Sequence, residues 1–427
     1  MEFTKQQKII IGAAGAVILV FILILIGVIP GLRRSSQTTT LSFWGVDDPS
    51  LWAGTIKNFE AANSQIKVSY TQVNPADYET NLINALAAGQ GPDVLMFKNN
   101  WLTKRVSIIS PLSPSSLSVA SFGSLFPQAA QNDFVSGGQI YALPLTLDTL
   151  ALAYNQNLFN QAGIALPPKT WSEFEADSLK LTQFKSGKIV QSGTALGGTS
   201  ASVGNASEIL SLLMLELQTP MVSQNSGVSQ AVFNTQSGQT ALDFYTQFGD
   251  PKSRYYAWND SLGDSVDDFT RGKVGMILAY ASDLQAIKNA NPYLNIGVAS
   301  APQFNLTQAV NFPSYWGLAV SKRSVVQPAA WSFALYAATD QASAKNYALS
   351  TGESPALRTL IAEAETNPQF SVFAYQALTA RDWPNPDPEA VSGIFDTMIK
   401  SVTSHSTDSY TALSQAAQDI TALFQNQ

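Results

Sequence analysis

IKVSYTQVNPADYETNLINALAAGQGPDVLMF, residues 66–97, changes its hydrophobic period twice. Ile66, Val68 and Tyr70 alternate with Lys67, Ser69 and Thr71, the two-residue period of a strand with one buried face. Tyr78, Leu82 and Leu86 then recur every four residues, as on one side of a helix, and Gly89 stands where a helix C-cap belongs. Residues 93–97, DVLMF, read as a short buried strand. Upstream, residues 41–46 (LSFWGV) read as a first buried strand, and residues 55–62 as a helix with Ile56 and Phe59 on one face. Strand, helix, strand, helix, strand in succession predicts an α/β fold with a largely parallel sheet.

The pattern continues downstream. Residues 141–155 (YALPLTLDTLALAYN) form a long apolar stretch broken at Pro144 and Asp148, its second half strand-like. A helix is expected over 171–181, where Thr170 and Glu173 supply a Thr-x-x-Glu capping box after the Pro167-Pro168 turn. Residues 273–280, 295–299 and 316–321 read as strands. Helical spacing returns from Pro328, with Trp331, Leu335 and Ala338 on one face, and again over 389–402 and 410–424. No repeat of 20–50 residues is present, which argues against a solenoid or propeller.

Composition excludes much chemistry. The chain has 427 residues, 24 Lys plus Arg against 31 Asp plus Glu, one His and no Cys, for a net charge of −7. Without Cys there is no disulfide, thiol nucleophile or thiolate metal site, and His405 alone cannot build a His-rich metal centre. There is no basic footprint for nucleic acid. The glycine-rich stretch 193–204 lacks Gly-Lys-Ser/Thr, and Asp264, Asp267 and Asp268 lack the spacing of a calcium loop. No cofactor and no metal are expected.

Residues 9–29 (IIIGAAGAVILVFILILIGVI) contain no charged residue. About 20 such residues suffice to cross a bilayer as a helix, whereas the apolar part of a cleaved signal is about 7–15 residues. The stretch runs into Pro30, Gly31, Leu32, Arg33 and Arg34 without a small-x-small cleavage site. It predicts a single-pass transmembrane anchor, with residues 1–8 cytoplasmic, 30–40 a linker, and the soluble body on the extracytoplasmic side. The body is too long for one core and predicts two lobes.

The order of these landmarks resembles the extracellular solute-binding proteins of ABC importers, in the maltose-binding-like group. The resemblance runs through LSFWG (41–45), FEAANSQIKV (59–68), ALAAGQGPDV (85–94), YALPLTLDTLALAYNQNLFNQAG (141–163), PKTWSEF (168–174), FTRGKVGM (269–276), GVASAP (297–302) and WGLAVS (316–321). It implies a two-lobe periplasmic-binding-protein-like fold of type II, with an interlobe cleft and three crossings near Asp148, Gly297 and Lys322. Lobe one would combine 41–148 with 297–321, and lobe two 149–296 with 322–427. It also implies a monomeric receptor that delivers a small molecule, a sugar or oligosaccharide, to ABC permease subunits, and no enzyme.

A carbohydrate cleft needs aromatic platforms for C–H faces and planar polar groups for hydroxyls. The chain offers eight Trp and 14 Tyr. Trp44 and Asp48 follow the first strand, at the end where open α/β sheets bind ligands, and otherwise read as packing and a turn residue. Asn99 and Asn100 follow the 93–97 strand and are ligand contacts or turn-formers. Asp148 interrupts an apolar run, where an unpaired carboxylate is costly, so it is a hinge or ligand contact. Trp258 is an interlobe prop or a platform. The resemblance adds Tyr280, Ser282, Trp316 and Trp383 as cleft contacts, while Trp52, Trp101, Trp171 and Trp331 sit on helical patterns and read as packing. A carbohydrate-active enzyme, the first rival, needs two opposed carboxylates, and only Asp47, Asp48 and Asp148 are candidates. The second rival is a non-transporting ligand sensor on the same fold.

Overall fold

The computed structural model describes residues 4–5, 38–225, 228–367 and 370–425. The apolar stretch 9–29 lies outside them, and among the described residues no helix is long and apolar enough to cross a membrane.

Two sheets organise the chain. The strands β1 (Thr39–Gly45), β2 (Ile66–Gln72), β3 (Val94–Lys98), β4 (Ile109–Ser110) and β5 (Ala142–Pro144) come first. The strands β6 (Ala151–Asn155), β7 (Gln183–Lys185), β8 (Lys188–Thr194), β9 (Val274–Ala279) and β10 (Ile296–Ser300) follow, and β11 (Trp316–Ser321) closes the series. The first sheet has the order β2-β1-β3-β11-β4, with β5 also on β11; the second has the order β10-β6-β9-β8-β7. Each sheet has its own buried core, so these are two bodies.

The apolar run 141–155 is two strands in two different sheets. Leu143 and Leu147 belong to the first core, Leu150 and Leu152 to the second, and the chain crosses between them at Asp148. Pro144 and Asp148 therefore mark a crossing inside one hydrophobic stretch. A chain that has just crossed must run away from the junction, whereas β3 and β9 run towards it. β6 accordingly lies antiparallel to β9 and β10, and β11 antiparallel to β3. Parallel pairing is confined to β1/β2, β1/β3 and β8/β9, so both sheets are mixed rather than largely parallel.

The other two crossings differ from the expected positions. β10 pairs with β6 along Ile296 to Ser300, so Gly297 lies within the second sheet. The second crossing falls between Phe312, packed on the second core, and Tyr315, in the first. Lys322 is no crossing either. The helix Gln327–Thr339 covers the first sheet, with Phe333 5.5 Å from Phe43 and 5.2 Å from Phe59 between ring centroids. Its apolar face was legible, but not which sheet it covers. The third crossing lies between Ala380, in the first core, and Trp383, in the second. The division is thus 39–147 with 315–380 against 150–312 with 383–425, and the helix Ser371–Ala377 sits between, with Phe373 in the second core and Ala374 in the first.

Candidate functional site

The ends of β3 and β9 and the start of β11 meet at the crossings. Trp316 opens β11 opposite Lys98, the last residue of β3, and the Lys98 ammonium stands 4.9 Å from the centre of the Trp316 ring. Trp316 is propped from behind by Trp101 at 5.5 Å and Tyr78 at 5.7 Å. Among the described residues Lys98 has no ion-pair partner within 4 Å. Burial pulls its ammonium below the usual lysine range, against the opposing pull of Glu353, Asp148, Glu208 and Asp283.

Those carboxylates come from both bodies. Asp148, on the first crossing, accepts backbone N–H bonds from Thr149 (2.8 Å), Ala281 (3.1 Å) and Ser282 (3.3 Å). It thereby ties the crossing to the N-terminus of the helix Ala281–Ala290, where negative charge is stabilised. Burial nonetheless raises its carboxyl well above the usual range, and the charge of Glu353 adds to that. Glu353 is raised by burial as well, while the Thr146 hydroxyl donates to it and lowers it in part. Asp283 accepts from the Tyr280 backbone N–H and from the Asn205 amide, both at 3.0 Å.

Glu208 lies in the first turn of the helix Ala206–Glu216. A locked loop delivers that helix. Gly197 has φ +93°, and a Cβ there would lie 2.2 Å from the Gly249 nitrogen, so two backbones touch where no side chain fits. Asp260 then holds the Thr199 N–H at 2.8 Å and the Ser202 hydroxyl at 2.7 Å. The glycine-rich stretch 193–204 is structural scaffolding for Glu208 and Asn205.

A second polar cluster lies beside this one. Asp133 accepts from the Tyr315 hydroxyl, and the Asn99 amide reaches both Asp382 (3.1 Å) and Asp133 (3.4 Å). Burial, reinforced by the charge of Asp382, raises Asp133 well above the carboxylate range. Burial moves Asp382 up to about 6, and the two carboxyls hydrogen-bond one another. Asp133 and Asn99 belong to the first body and Asp382 to the third crossing. A groove of about 590 Å³ opens here, lined on one side by Asn99, Asn100 and Asp133 and on the other by Gln224, Asp382 and Trp383. At its edge Lys104 pairs with Asp387 across the two bodies at 2.9 Å.

Two bodies, three crossings and a polar cleft at the crossings invite comparison with known proteins. Residues 45–344 match the family of bacterial extracellular solute-binding proteins. The chain belongs to that family.

This solute-binding protein is 26% identical over 257 residues to a Brucella abortus protein described as a binding protein, and spans 58% of its length. It is 23% identical over 333 residues, 74% of this chain and 72% of the relative, to a mannitol-binding protein of Pseudomonas aeruginosa. Among solved structures, the cyclic α-maltosyl-1,6-maltose binding protein of Arthrobacter globiformis superposes with a TM-score of 0.77 over 91% of this chain and 100% of that one, at 20% identity. The sugar-binding protein MalE of Xanthomonas citri gives 0.75 over 91% and 98%, at 19% identity. The two-lobe α/β architecture is shared with both.

Of the residues singled out in the sequence, Asn100 and Trp383 line the groove, while Asp148, beside the start of the helix that follows Tyr280, and Trp316, beside Lys98, lie at the crossings. Asn100 lines the groove with its buried side-chain oxygen unpartnered, and the Tyr280 hydroxyl is likewise buried and unpartnered. Trp383 lines the groove while its indole N–H holds the Ser211 hydroxyl at 3.2 Å. Ser282 is exposed and contributes its backbone N–H to Asp148. Three candidates behave otherwise. Trp258 is 2% exposed within the second core, its indole N–H on Ser202, so it is a core residue and no open platform. Asp48 is an exposed helix N-cap, accepting from the Ser50 N–H at 2.9 Å. Trp44 is half-buried and packs against the first core. Trp52, Trp101, Trp171 and Trp331 are all buried packing.

Lys98, Glu208, Asp133, Glu353 and Asp382 were not singled out. A charge directly after the apolar DVLMF strand is a readable signal for Lys98. The others sit on helices or loops far apart in sequence, with no local pattern to mark them.

Proposed function

We propose that this chain is the membrane-anchored, extracytoplasmic receptor of an ABC importer, that it binds a sugar or oligosaccharide in the cleft between its two bodies, and that it hands the ligand to a permease. The observation that carries this reading is that polar groups of both bodies meet at the crossings: Lys98 stands over the Trp316 ring within reach of the charges of Asp148 and Glu208, and the adjoining groove is lined by Asn100 on one side and by Gln224 and Trp383 on the other. A hydroxylated ring between them would receive a stacking face from Trp316, donors from Lys98, and acceptors from Asn100 and Glu208. Ligand touching both bodies favours the closed arrangement and so shifts the population towards it. The ligands named for the mannitol-binding relative and the maltosyl-maltose-binding structure support a hydroxyl-rich ligand here. The uncharged run 9–29 supports the anchor. The chain acts as a carrier, without covalent change to its guest.

A thermal-shift screen of the full-length protein against mono- and oligosaccharides and polyols tests this. A saccharide should raise Tm by mass action. Stabilisation by amino acids or peptides alone would leave a receptor but overturn the carbohydrate assignment.

A further inference from the structure

The chain enters its first body at the end of the sheet opposite the crossings. β1 begins at Thr39, whose N–H donates to the Gln65 carbonyl at 2.8 Å, and it draws level with Val94, the first residue of β3, only at Phe43. From Val94, β3 runs to Lys98 at the crossings. β11 returns antiparallel with Val320 beside Val94, and leaves the sheet at the far end. There the Ser321 N–H donates to the Asp93 carbonyl and the Lys322 N–H to the Ile108 carbonyl, both at 2.9 Å. Thr39 and Lys322 therefore share one end of the sheet, on strands separated only by β3, or about 10 Å.

That end is basic and apolar. A pocket of about 370 Å³ opens on it, lined by Ile83, Leu86, Ala87 and Ile108 together with Lys322 and Arg323. Both cations are exposed, and among the described residues neither has an ion-pair partner within 4 Å. Val325, just beyond them, is 95% exposed. The nearby carboxylates are already engaged. Asp93 accepts from the Ser42 and Ser324 hydroxyls at 2.9 and 2.7 Å, and Glu60 pairs with Lys67 at 2.7 Å. Cations beside an apolar hollow thus face outward from a chain whose net charge is −7.

The apolar run 9–29 is separated from Thr39 by residues 30–38, a length that spans at most about 30 Å. So short a tether, joined at this end of the sheet, keeps this end nearest the bilayer. We infer that it is a docking surface for the membrane, where Lys322 and Arg323 meet the phosphates of anionic lipids while Val325 and the apolar pocket face the lipid boundary. This rests on the anchor reading above and adds an orientation to it. Attraction to an anionic surface fades within about 10 Å in physiological salt, so cations at this end feel it and groups at the crossings do not. The cleft then stands about the length of β1, roughly 20 Å, above the lipid and stays open to its guest.

The chain has no Cys, so Val325→Cys can carry an environment-sensitive fluorophore at this end, and Ser136→Cys the same fluorophore at the groove. The full-length protein is reconstituted into vesicles of phosphatidylcholine, with and without phosphatidylglycerol. At low salt the label at 325 should shift to the blue, and be quenched by a spin-labelled lipid, only where phosphatidylglycerol is present. The label at 136 should not respond. Replacing both cations, Lys322→Gln with Arg323→Gln, should lower the docked-to-undocked ratio about thirtyfold. High salt should undock the wild type in the same way while the protein stays in the vesicle. Identical spectra at 325 in the two vesicles overturn the inference and leave the anchor standing, as does a phosphatidylglycerol response that survives the double substitution. A response at 136 in place of 325 overturns it too, because the body then lies the other way up. Protein that enters neither vesicle removes the anchor, and the orientation falls with it.

Discussion

The side-chain amide of Gln376 donates to the Thr149 hydroxyl at 2.8 Å and to the Leu150 carbonyl at 2.9 Å. Its oxygen accepts the Ala301 N–H at 2.8 Å, and the residue is wholly buried. One side chain thus joins the first crossing, the end of β10 and the helix that lies between the bodies. Gln376→Leu keeps much of the volume but leaves the Ala301 N–H and the Leu150 carbonyl without partners. We expect a loss of about 2–4 kcal/mol in urea unfolding. A loss under about 0.5 kcal/mol would mean that these groups find other partners.

The Asp133–Asp382 pair gives a pH dependence. Both carboxyls are raised above their ordinary values, chiefly by burial, so the folded protein holds protons that the unfolded chain releases. Their favourable contribution is complete below the unfolded values near 4 and disappears as pH rises through the folded ones, about 6 for Asp382. Between pH 5 and 7 the wild type should lose Tm more steeply than Asp133→Asn, which keeps the acceptor for Tyr315 and needs no shared proton. Parallel Tm curves for the two would contradict this.

Glu216 titrates higher. Its carboxyl accepts the Trp171 indole N–H and the Phe304 N–H, both at 2.9 Å, yet burial moves it up to about 8. The sign is the same: stability is lost as pH rises from about 4.5 through 8. Glu216→Gln should therefore gain on the wild type between pH 6 and 9 when unfolding is followed by the fluorescence of the nearby Trp171. A gap that stays constant across that range would show that Glu216 is ionised throughout.

Trp316→Ala should weaken saccharide binding about tenfold or more, since an aromatic face is removed from a partly desolvated site. It should also remove the seat beneath the Lys98 ammonium. Asp48→Ala, at an exposed helix cap, should lower stability slightly and leave affinity within twofold. Equal affinity losses in both variants would place the ligand elsewhere.

Full-length protein should sediment with membranes and be extracted only by detergent, while a chain starting at residue 38 should stay in the supernatant. Release of the full-length protein by high salt alone would contradict an apolar anchor over 9–29.

Much of the architecture was legible because it is written locally. The alternation at Ile66, Val68 and Tyr70, the spacing of Tyr78, Leu82 and Leu86, and the Thr170/Glu173 capping box each reappear as the element they predict. The crossings were legible only where they break a pattern, as Asp148 does. Gly297 and the stretch after Lys322 look the same in sequence whichever sheet they join, because the partner strand or helix lies far away in the chain. The candidate site shows the same limit. Asp148 stood out as a charge in an apolar run, whereas Glu208 and Asp133 become notable only when a distant segment lies beside them. Trp258 misled because its polar sequence neighbours hide the core that receives its ring.

The central claim is that the two bodies close on a guest. The chain has no native Cys, so Ser136→Cys and Gln224→Cys place one spin label on each rim of the groove without competing thiols. Pulsed electron–electron resonance on the doubly labelled protein, with and without a saccharide that raises Tm, reads the distance between the rims. Closure predicts a shorter and narrower distance distribution when the saccharide is bound. An unchanged distribution at saturating ligand would mean that binding occurs without the two bodies gripping it.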